Sequence, residues 1–201
     1  MIKFEAKQCN LKKVPLSLLK LEKLRTLDLS RNCLDLDSFP APIPLNSELT
    51  SLNLSYNSLE AIPEIVCNFL HLHELILTSN NLTTINCNIR KLVKLEKLYV
   101  EYNIIADLPT ALFDCLRLST LDIRNNALAR VPILIGRLKF LAKLDLSHNQ
   151  LNTLPDQLGD LPELKVFEIN NNPMASFPTD IYHGDRDNLL SYLKFRLYNN
   201  Q

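Results

Sequence analysis

Histidine and carboxylate side chains are the groups in this sequence that could ligate a metal or act as a general base. His71 and His73 are separated by one residue, and His148 follows Asp145 by three residues. A zinc site needs three or four ligands at defined spacings, and neither histidine group has a third ligand at such a spacing. A histidine-aspartate pair also lacks the nucleophile of a catalytic triad, and a chain with 3 glycines has no glycine-rich phosphate loop. The sequence therefore predicts no metal, no cofactor and no enzymatic activity.

The cysteines are candidates for metal binding or disulfide formation. The chain has 5 of them, at positions 9, 33, 67, 87 and 115. They form no C-x-x-C pair and do not cluster at the chain ends, whereas metal sites need clustered ligands and disulfide frameworks belong to oxidising compartments. We therefore expect reduced thiols in an intracellular protein.

A repeated frame accounts for most of the chain. The stretch KLDLSHNQLNTLP, residues 143–155, belongs to a unit that reads L-x-x-L-x-L-x-x-N-x-L-x-x-L-P and starts at Leu141. The same frame starts at Leu24, Leu49, Leu72, Leu95, Leu118 and Leu164. The spacing is 23 residues with one step of 25, and a degenerate copy from Met1 makes eight repeats. The asparagine position holds Asn32, Asn57, Asn80, Asn103, Asn126, Asn149 and Asn172.

Each repeat predicts one short strand followed by an outer segment. Apolar residues alternate with polar ones along the strand, which is typical of a strand with one buried face. A unit of this size cannot bury its own apolar face, so the units must stack with parallel strands about 4.8 Å apart. The asparagine stands where the chain leaves the strand, and its amide offers both a donor and an acceptor to the buried bend. After the strand, proline and apolar residues three apart predict extended or short helical turns on an outer wall.

The frame resembles the leucine-rich repeat. It is similar to the 23-residue subclass that has Leu-Pro after the strand and Ile-Gly or Leu-Gly shortly afterwards, as at Ile135-Gly136 and Leu158-Gly159. The resemblance covers residues 1–181. It implies an α/β fold, a right-handed leucine-rich repeat solenoid (horseshoe) with a parallel concave sheet and about eight repeats, that binds other macromolecules. Similar repeats occur in cytoplasmic Ras-pathway scaffolds and in secreted bacterial effectors that act inside host cells.

The end of the chain departs from the frame and predicts a helix. Its leucines have helical spacing, and Asp185 or Asp187 is the expected N-cap. We expect a repeat array at 1–181, with an atypical N-terminal repeat at 1–23, and a C-terminal capping helix at 182–201. Solenoids need such caps to cover their exposed core. A helix offered to a partner is the alternative.

Aligning the strands in columns predicts a partner-binding site on the concave face. The side chains at the fifth, seventh and eighth positions of the frame are expected to point to this face. In the middle of the array these columns place Tyr56, Ile76, Tyr99 and Tyr102 together. The expected surrounding residues are Arg31, Glu101, Asp122, Arg124, Asp145 and His148. Tyrosine and arginine are enriched in interface hot spots, and an apolar centre with a charged rim is the usual anatomy of an interface.

The repeat pattern offers a simpler explanation for part of this site. Tyrosine suits strands in general, and the recurrent Leu-Asp-Leu-Ser sequence supplies Asp122 and Asp145 without any functional reason. The residues that depart from this pattern carry more weight. These are Ile76, Tyr99, Glu101 and Arg124.

Charge and hydropathy limit the classes of partner and location. The formal net charge is +0, so no overall field favours nucleic acid or an anionic membrane. No apolar run approaches the roughly 18 residues of a membrane span, and the first ten residues are too charged for a signal peptide. We predict a cytoplasmic monomer that binds a protein partner on its concave face, with a secreted bacterial effector acting in a host cell as the alternative.

Two other functions stay open at this point. A local basic strip could bind nucleic acid or an anionic surface. Its residues are Arg90, Lys91, Lys94 and Lys97. Arrays of this kind also precede catalytic domains in some proteins, so the chain could be the regulatory portion of a larger enzyme.

Overall fold

The computed structural model describes residues 2–41, 47–182 and 185–199. Within these ranges the chain forms eight short strands in one parallel sheet, in sequence order. They are β1 (Ile2–Glu5), β2 (Leu24–Asp28), β3 (Ser51–Asn53), β4 (Glu74–Ile76), β5 (Lys97–Tyr99), β6 (Thr120–Asp122), β7 (Lys143–Asp145) and β8 (Val166–Glu168). The predicted α/β solenoid with a parallel sheet is confirmed. Position 1 of the first repeat and positions 183, 184, 200 and 201 of the predicted cap lie outside the described residues.

The repeat frame sets the register of the sheet. Leu98 of β5 lies opposite Leu75 of β4 and Leu121 of β6, so equivalent positions of successive repeats are neighbours. The one longer step leaves this register intact, because Leu27 of β2 still lies opposite Leu52 of β3. The two extra residues are therefore accommodated outside the sheet.

Short 3₁₀ helices form the outer wall, opposite the sheet. Their bounds are Leu36–Ser38, Glu64–Asn68, Cys87–Lys91, Thr110–Asp114, Ile133–Arg137 and Asp156–Asp160, and the first repeat has the α-helix α1 (Leu16–Leu19). A proline with extended backbone precedes most of these turns, for example Pro109 before Thr110–Asp114. The apolar frame residues fill the space between the two walls, and Cys115 is fully buried among them.

The frame asparagines form a continuous hydrogen-bonded row that joins the repeats. Asn103 Nδ2 donates to the carbonyl of Leu77 in the preceding repeat at 3.1 Å and to that of Val100 in its own repeat at 2.9 Å. Its Oδ1 accepts from the N–H of Leu82 at 2.9 Å. The same three-way pattern recurs at Asn57, Asn80, Asn126, Asn149 and Asn172. The predicted role of this amide in satisfying the buried bend is confirmed.

The C-terminal part consists of two helices, α2 (Thr179–Tyr182) and α3 (Arg186–Asn199). Asp185 is the N-cap of α3, since its Oδ1 accepts from the N–H of Asn188 at 2.8 Å. Helix α3 buries Leu189 and Leu193 and packs against the 3₁₀ helix Asp156–Asp160. The approach is so close that a Cβ on Gly159 would lie 2.3 Å from the backbone nitrogen of Lys194.

Candidate functional site

The fifth frame position forms a row of side chains across the concave face, which is the sheet face away from the core. The register places Ile76 opposite Tyr99, Tyr99 opposite Asp122, and Asp122 opposite Asp145. Because neighbouring parallel strands are about 4.8 Å apart, these side chains are adjacent. Four of the predicted site residues are thus brought together by the sheet itself.

The eighth frame position lies in a turn with left-handed backbone, a feature that the sequence analysis did not predict. The φ angle is 56° at Arg31, 55° at Tyr56, 57° at Tyr102 and 54° at His148. Non-glycine residues seldom adopt this conformation, and the sheet compensates for its cost through ladder hydrogen bonds such as Tyr102 N to Arg124 O at 3.1 Å. The turn follows the strand, so these side chains lie at the end of the strands rather than in the sheet.

The order of burial differs from the expected apolar centre with a charged rim. Tyr56 and Tyr102 are 46% and 52% exposed, whereas Glu101, Asp122 and Asp145 are only 7%, 2% and 6% exposed. The carboxylates therefore form the buried floor of this surface, and the aromatic rings project from it. The reason is that Asp122 and Asp145 have short side chains on the sheet, whereas Tyr56 and Tyr102 lie on the turns that follow the strands.

Two arginines stack on two tyrosines and divide the predicted site into two groups. The guanidinium carbon of Arg31 lies 4.1 Å from the ring centre of Tyr56, and that of Arg124 lies 5.8 Å from the ring centre of Tyr102. Both distances are within the range of a cation–π contact. His148 is exposed, and its Nε2 lies 3.0 Å from Asn171 Nδ2.

Arg124 is the centre of the larger group. Its guanidinium nitrogens lie 4.0 Å from Glu101 Oε1, 3.7 Å from Asp122 Oδ2 and 3.6 Å from Asp145 Oδ2. We refer to Glu101, Asp122 and Asp145 as the carboxylate triad. One cation thus faces three buried carboxylates.

This crowding shifts the protonation of the site. Burial, followed by the charges of Glu101 and Asp145, raises the pKa of Asp122 to about 6. Burial also raises the pKa of the Tyr99 phenol, with further contributions from Glu74, Glu101 and Asp122. Tyr99 consequently stays neutral at physiological pH.

The Leu-Asp-Leu-Ser pattern has a local structural role. Ser147 donates to Asp145 Oδ1 through both its hydroxyl, at 2.6 Å, and its N–H, at 3.0 Å. Asp28 and Ser30 make the same pair of hydrogen bonds. Glu101 and Arg124 occupy the serine position in their own repeats, and this departure from the pattern creates the triad and its cation.

The predicted basic strip is divided between the outer wall and the inner sheet. Arg90 and Lys91 belong to the 3₁₀ helix Cys87–Lys91 on the outer wall, whereas Lys97 lies in β5 on the inner sheet. Lys97 is also 3.7 Å from Glu74, which neutralises part of its charge.

In the part of the chain that the structure describes, no three or more histidine, cysteine or acidic residues are placed to hold a metal ion. None of the described helices combines the length and the apolar character required to cross a bilayer.

Family models described as leucine rich repeat match residues 47–105, 116–174 and 23–45, which is more than half of the chain. The chain belongs to the leucine-rich repeat family. Domains of this family are commonly protein-interaction modules. No curated protein matches the sequence.

Two solved structures of leucine-rich repeat proteins are similar to this chain. A leucine-rich repeat protein of Leptospira interrogans is 31% identical with a TM-score of 0.76, and the match covers 81% of this chain and 41% of that one. The ectodomain of the Arabidopsis thaliana membrane receptor kinase GASSHO1/SCHENGEN3, in complex with CASPARIAN STRIP INTEGRITY FACTOR 2, is 25% identical with a TM-score of 0.64. That match covers 85% of this chain and 24% of the ectodomain, so this chain spans less than half the length of either protein.

Proposed function

We propose that this chain is a non-catalytic protein-interaction module that binds a protein partner on its concave face. The carrying observation is the arrangement of Tyr99, Tyr102 and Arg124 above the carboxylate triad. Tyr102 is half exposed and is held in place by a left-handed turn and by the stacked arginine. A large side chain that is ordered before binding loses little conformational entropy when a partner covers it.

Two further facts support the binding of a protein partner. Eight parallel strands span very roughly 34 Å across their seven spacings, which is wide enough for the ~800 Å² per partner of a standard interface. The similar Arabidopsis ectodomain was solved in complex with CASPARIAN STRIP INTEGRITY FACTOR 2, which supports partner binding by this chain without favouring one face. Intracellular signalling as a scaffold, or action as a host-directed effector, are the settings that we propose for such a module.

The double substitution Tyr99→Ala/Tyr102→Ala tests this function. The partner is first isolated by affinity purification on the wild-type chain, and its affinity is then measured by titration. We expect about a 30-fold loss of affinity with an unchanged circular dichroism spectrum, because the substitutions remove two hot-spot side chains and no core contact.

The matched control carries the double substitution Ile133→Ala/Phe140→Ala. Both side chains are large, apolar and exposed, at 65% and 63%. Neither lies in a strand, since Ile133 is in the outer 3₁₀ helix Ile133–Arg137 and Phe140 is in the turn before β7. Wild-type affinity of the control, together with weakened binding of the tyrosine variant, supports the proposal. Equal affinities of all three proteins would refute it.

A further inference from the structure

Each carboxylate of the triad has one oxygen held by the chain and one oxygen without a hydrogen bond. The donors to the held oxygens are Thr78 Oγ1 to Glu101 (2.9 Å), Arg124 N to Asp122 (3.3 Å) and Ser147 Oγ to Asp145 (2.6 Å). No hydrogen bond from the described residues reaches the second oxygens, which are Glu101 Oε2, Asp122 Oδ2 and Asp145 Oδ2. Among these three atoms, Glu101 Oε2 alone is fully buried without a partner. The side chains are thus fixed in position while half of their acceptor capacity is unused.

Glu101 has the most unusual environment of the three. Its side chain is 9% exposed, and its Oε2 is buried without a hydrogen-bond partner. A buried carboxylate oxygen with no donor costs free energy, and such groups are rare in native proteins. Because this oxygen is shielded from solvent, an external donor does not reach it, but the negative charge of Glu101 favours a further cation at the neighbouring aspartates.

Arg124 does not supply the missing donors. Its three distances to the triad, 3.6–4.0 Å, exceed those of hydrogen bonds, and its own Nε is buried without an acceptor. A single guanidinium also leaves two of three ionised carboxylates without a counter-charge. The site therefore has both acceptor capacity and negative charge available for another cation.

Asp28 shows what a filled position looks like in the same chain. It occupies the same frame position as Asp122 and Asp145, and its Oδ1 is also held by a serine. Its second oxygen, however, accepts from Asn53 Nδ2 at 3.1 Å and lies 3.2 Å from Lys7 Nζ. The chain can thus complete this position with its own side chains, and it does not do so at the triad.

We propose that the carboxylate triad receives an arginine side chain of the protein partner, whose guanidinium donates to Asp122 Oδ2 and Asp145 Oδ2 beside Tyr99 and Tyr102. This inference rests on the proposed function and names the chemistry of its partner. Arginine fits better than lysine, because a planar guanidinium presents several donors at once to separate acceptors and stacks on aromatic rings. A side chain fits better than a metal ion, since the described residues offer no group placed to hold one.

A partner-free titration tests the inference. The probe is the peptide acetyl-Gly-Arg-Gly-amide, and its matched control has citrulline, which is uncharged, in place of arginine. Side-chain carboxylate resonances of the triad and the Nε–H resonance of Arg124 are followed by NMR at physiological ionic strength. We expect saturable shifts of these resonances with the arginine peptide and none with the citrulline peptide.

Substitutions in the chain locate the effect. Glu101→Gln/Asp145→Asn should abolish the shifts without unfolding the protein, because both replacements keep the held oxygen and remove repulsion between neighbouring carboxylates. Glu22→Gln, which neutralises an exposed carboxylate before β2 and far from the triad in the array, should leave the titration unchanged. Equal responses to both peptides, or an arginine response that survives Glu101→Gln/Asp145→Asn, would overturn the inference.

These outcomes separate this inference from the proposed function. If Tyr99→Ala/Tyr102→Ala weakens the partner complex while the arginine peptide gives no saturable shift, the concave face binds its partner by other contacts and the triad proposal is wrong. If the peptide binds at the triad while the partner's affinity does not respond to the tyrosine substitutions, the proposed function is wrong.

Discussion

Replacing Asn103 by alanine tests how the asparagine row holds neighbouring repeats together. The substitution removes one accepted hydrogen bond and three donated ones, to the carbonyls of Leu77, Val100 and Glu101. The three carbonyls do not become unpaired, because Leu77 O also accepts from Asn80 Nδ2 at 3.0 Å, Val100 O from Asn126 Nδ2 at 3.0 Å and Glu101 O from Ser79 N at 2.9 Å. The N–H of Leu82 is different, since Asn103 Oδ1 is its acceptor.

The magnitude follows from this inventory. One buried N–H left without an acceptor costs about 1–3 kcal/mol, and each weakened carbonyl adds a smaller amount. We therefore expect Asn103→Ala to lower the free energy of unfolding by about 2 kcal/mol in urea denaturation. Asn81→Ala is the matched control, because Asn81 is exposed and next to the row in sequence; its effect should be within about 0.5 kcal/mol.

Amide hydrogen exchange adds a local measurement to this experiment. A solenoid can open locally at a weakened interface, so the exchange rate of the Leu82 amide should rise in Asn103→Ala more than the rates of amides in distant repeats. Equal stability of the two variants, or an unchanged Leu82 exchange rate, would show that the bend is satisfied without this side chain.

Three further predictions concern the cap, the triad and the thiols. Gly159→Ala should destabilise the C-terminal end more than Gly136→Ala, because its Cβ would lie 2.3 Å and 2.7 Å from the backbone nitrogen and Cα of Lys194 in α3. The Cβ at Gly136 would approach one atom closer than 3 Å, the Cβ of Gln157 at 2.8 Å, so equal shifts in melting temperature would argue against close packing of α3. The pKa of Asp122 is about 6 in the folded chain, above its unfolded value, so its ionisation reduces stability as the pH rises from about 4 through 6. Asp122→Asn should therefore raise the free energy of unfolding by up to about 3 kcal/mol at pH 7 and by almost nothing at pH 4. A gain in stability that is independent of pH would contradict this. Cys67 and Cys115 are buried, and burial raises the pKa of the Cys115 thiol to about 12. Iodoacetamide should therefore label only Cys9, Cys33 and Cys87 of the folded chain, as detected by mass spectrometry. Labelling of all five cysteines would contradict the described core.

The sequence predicted the fold well because each repeat states the same physical requirement. Leu98, Leu121 and Leu144 recur at one frame position, and only a stack of parallel strands buries all of them together. Asn103 could be assigned its role for the same reason, since a buried bend needs a side chain that both donates and accepts. The N-cap at Asp185 was one of two predicted candidates, and the choice depended on where α3 begins.

The candidate site was predicted less completely, because a column alignment carries no depth. The alignment placed Tyr102 and Asp122 on one face but could not show that the aspartate is buried and the tyrosine exposed. The left-handed turn at Tyr102 was also missed, since tyrosine has no preference for that conformation and the sheet imposes it. A signal for the triad was present in the sequence, namely that Glu101 and Arg124 replace the usual serine in adjacent repeats.

The most direct test of the account is hydrogen–deuterium exchange of the chain with and without its affinity-purified partner. Binding on the concave face should slow exchange in peptides that cover residues 97–104 and 120–126, because these contain Tyr99, Tyr102 and Arg124. Peptides that cover the outer 3₁₀ helices Thr110–Asp114 and Ile133–Arg137 should exchange as in the free chain. Protection of the outer helices without protection of the strand peptides would contradict the central claim.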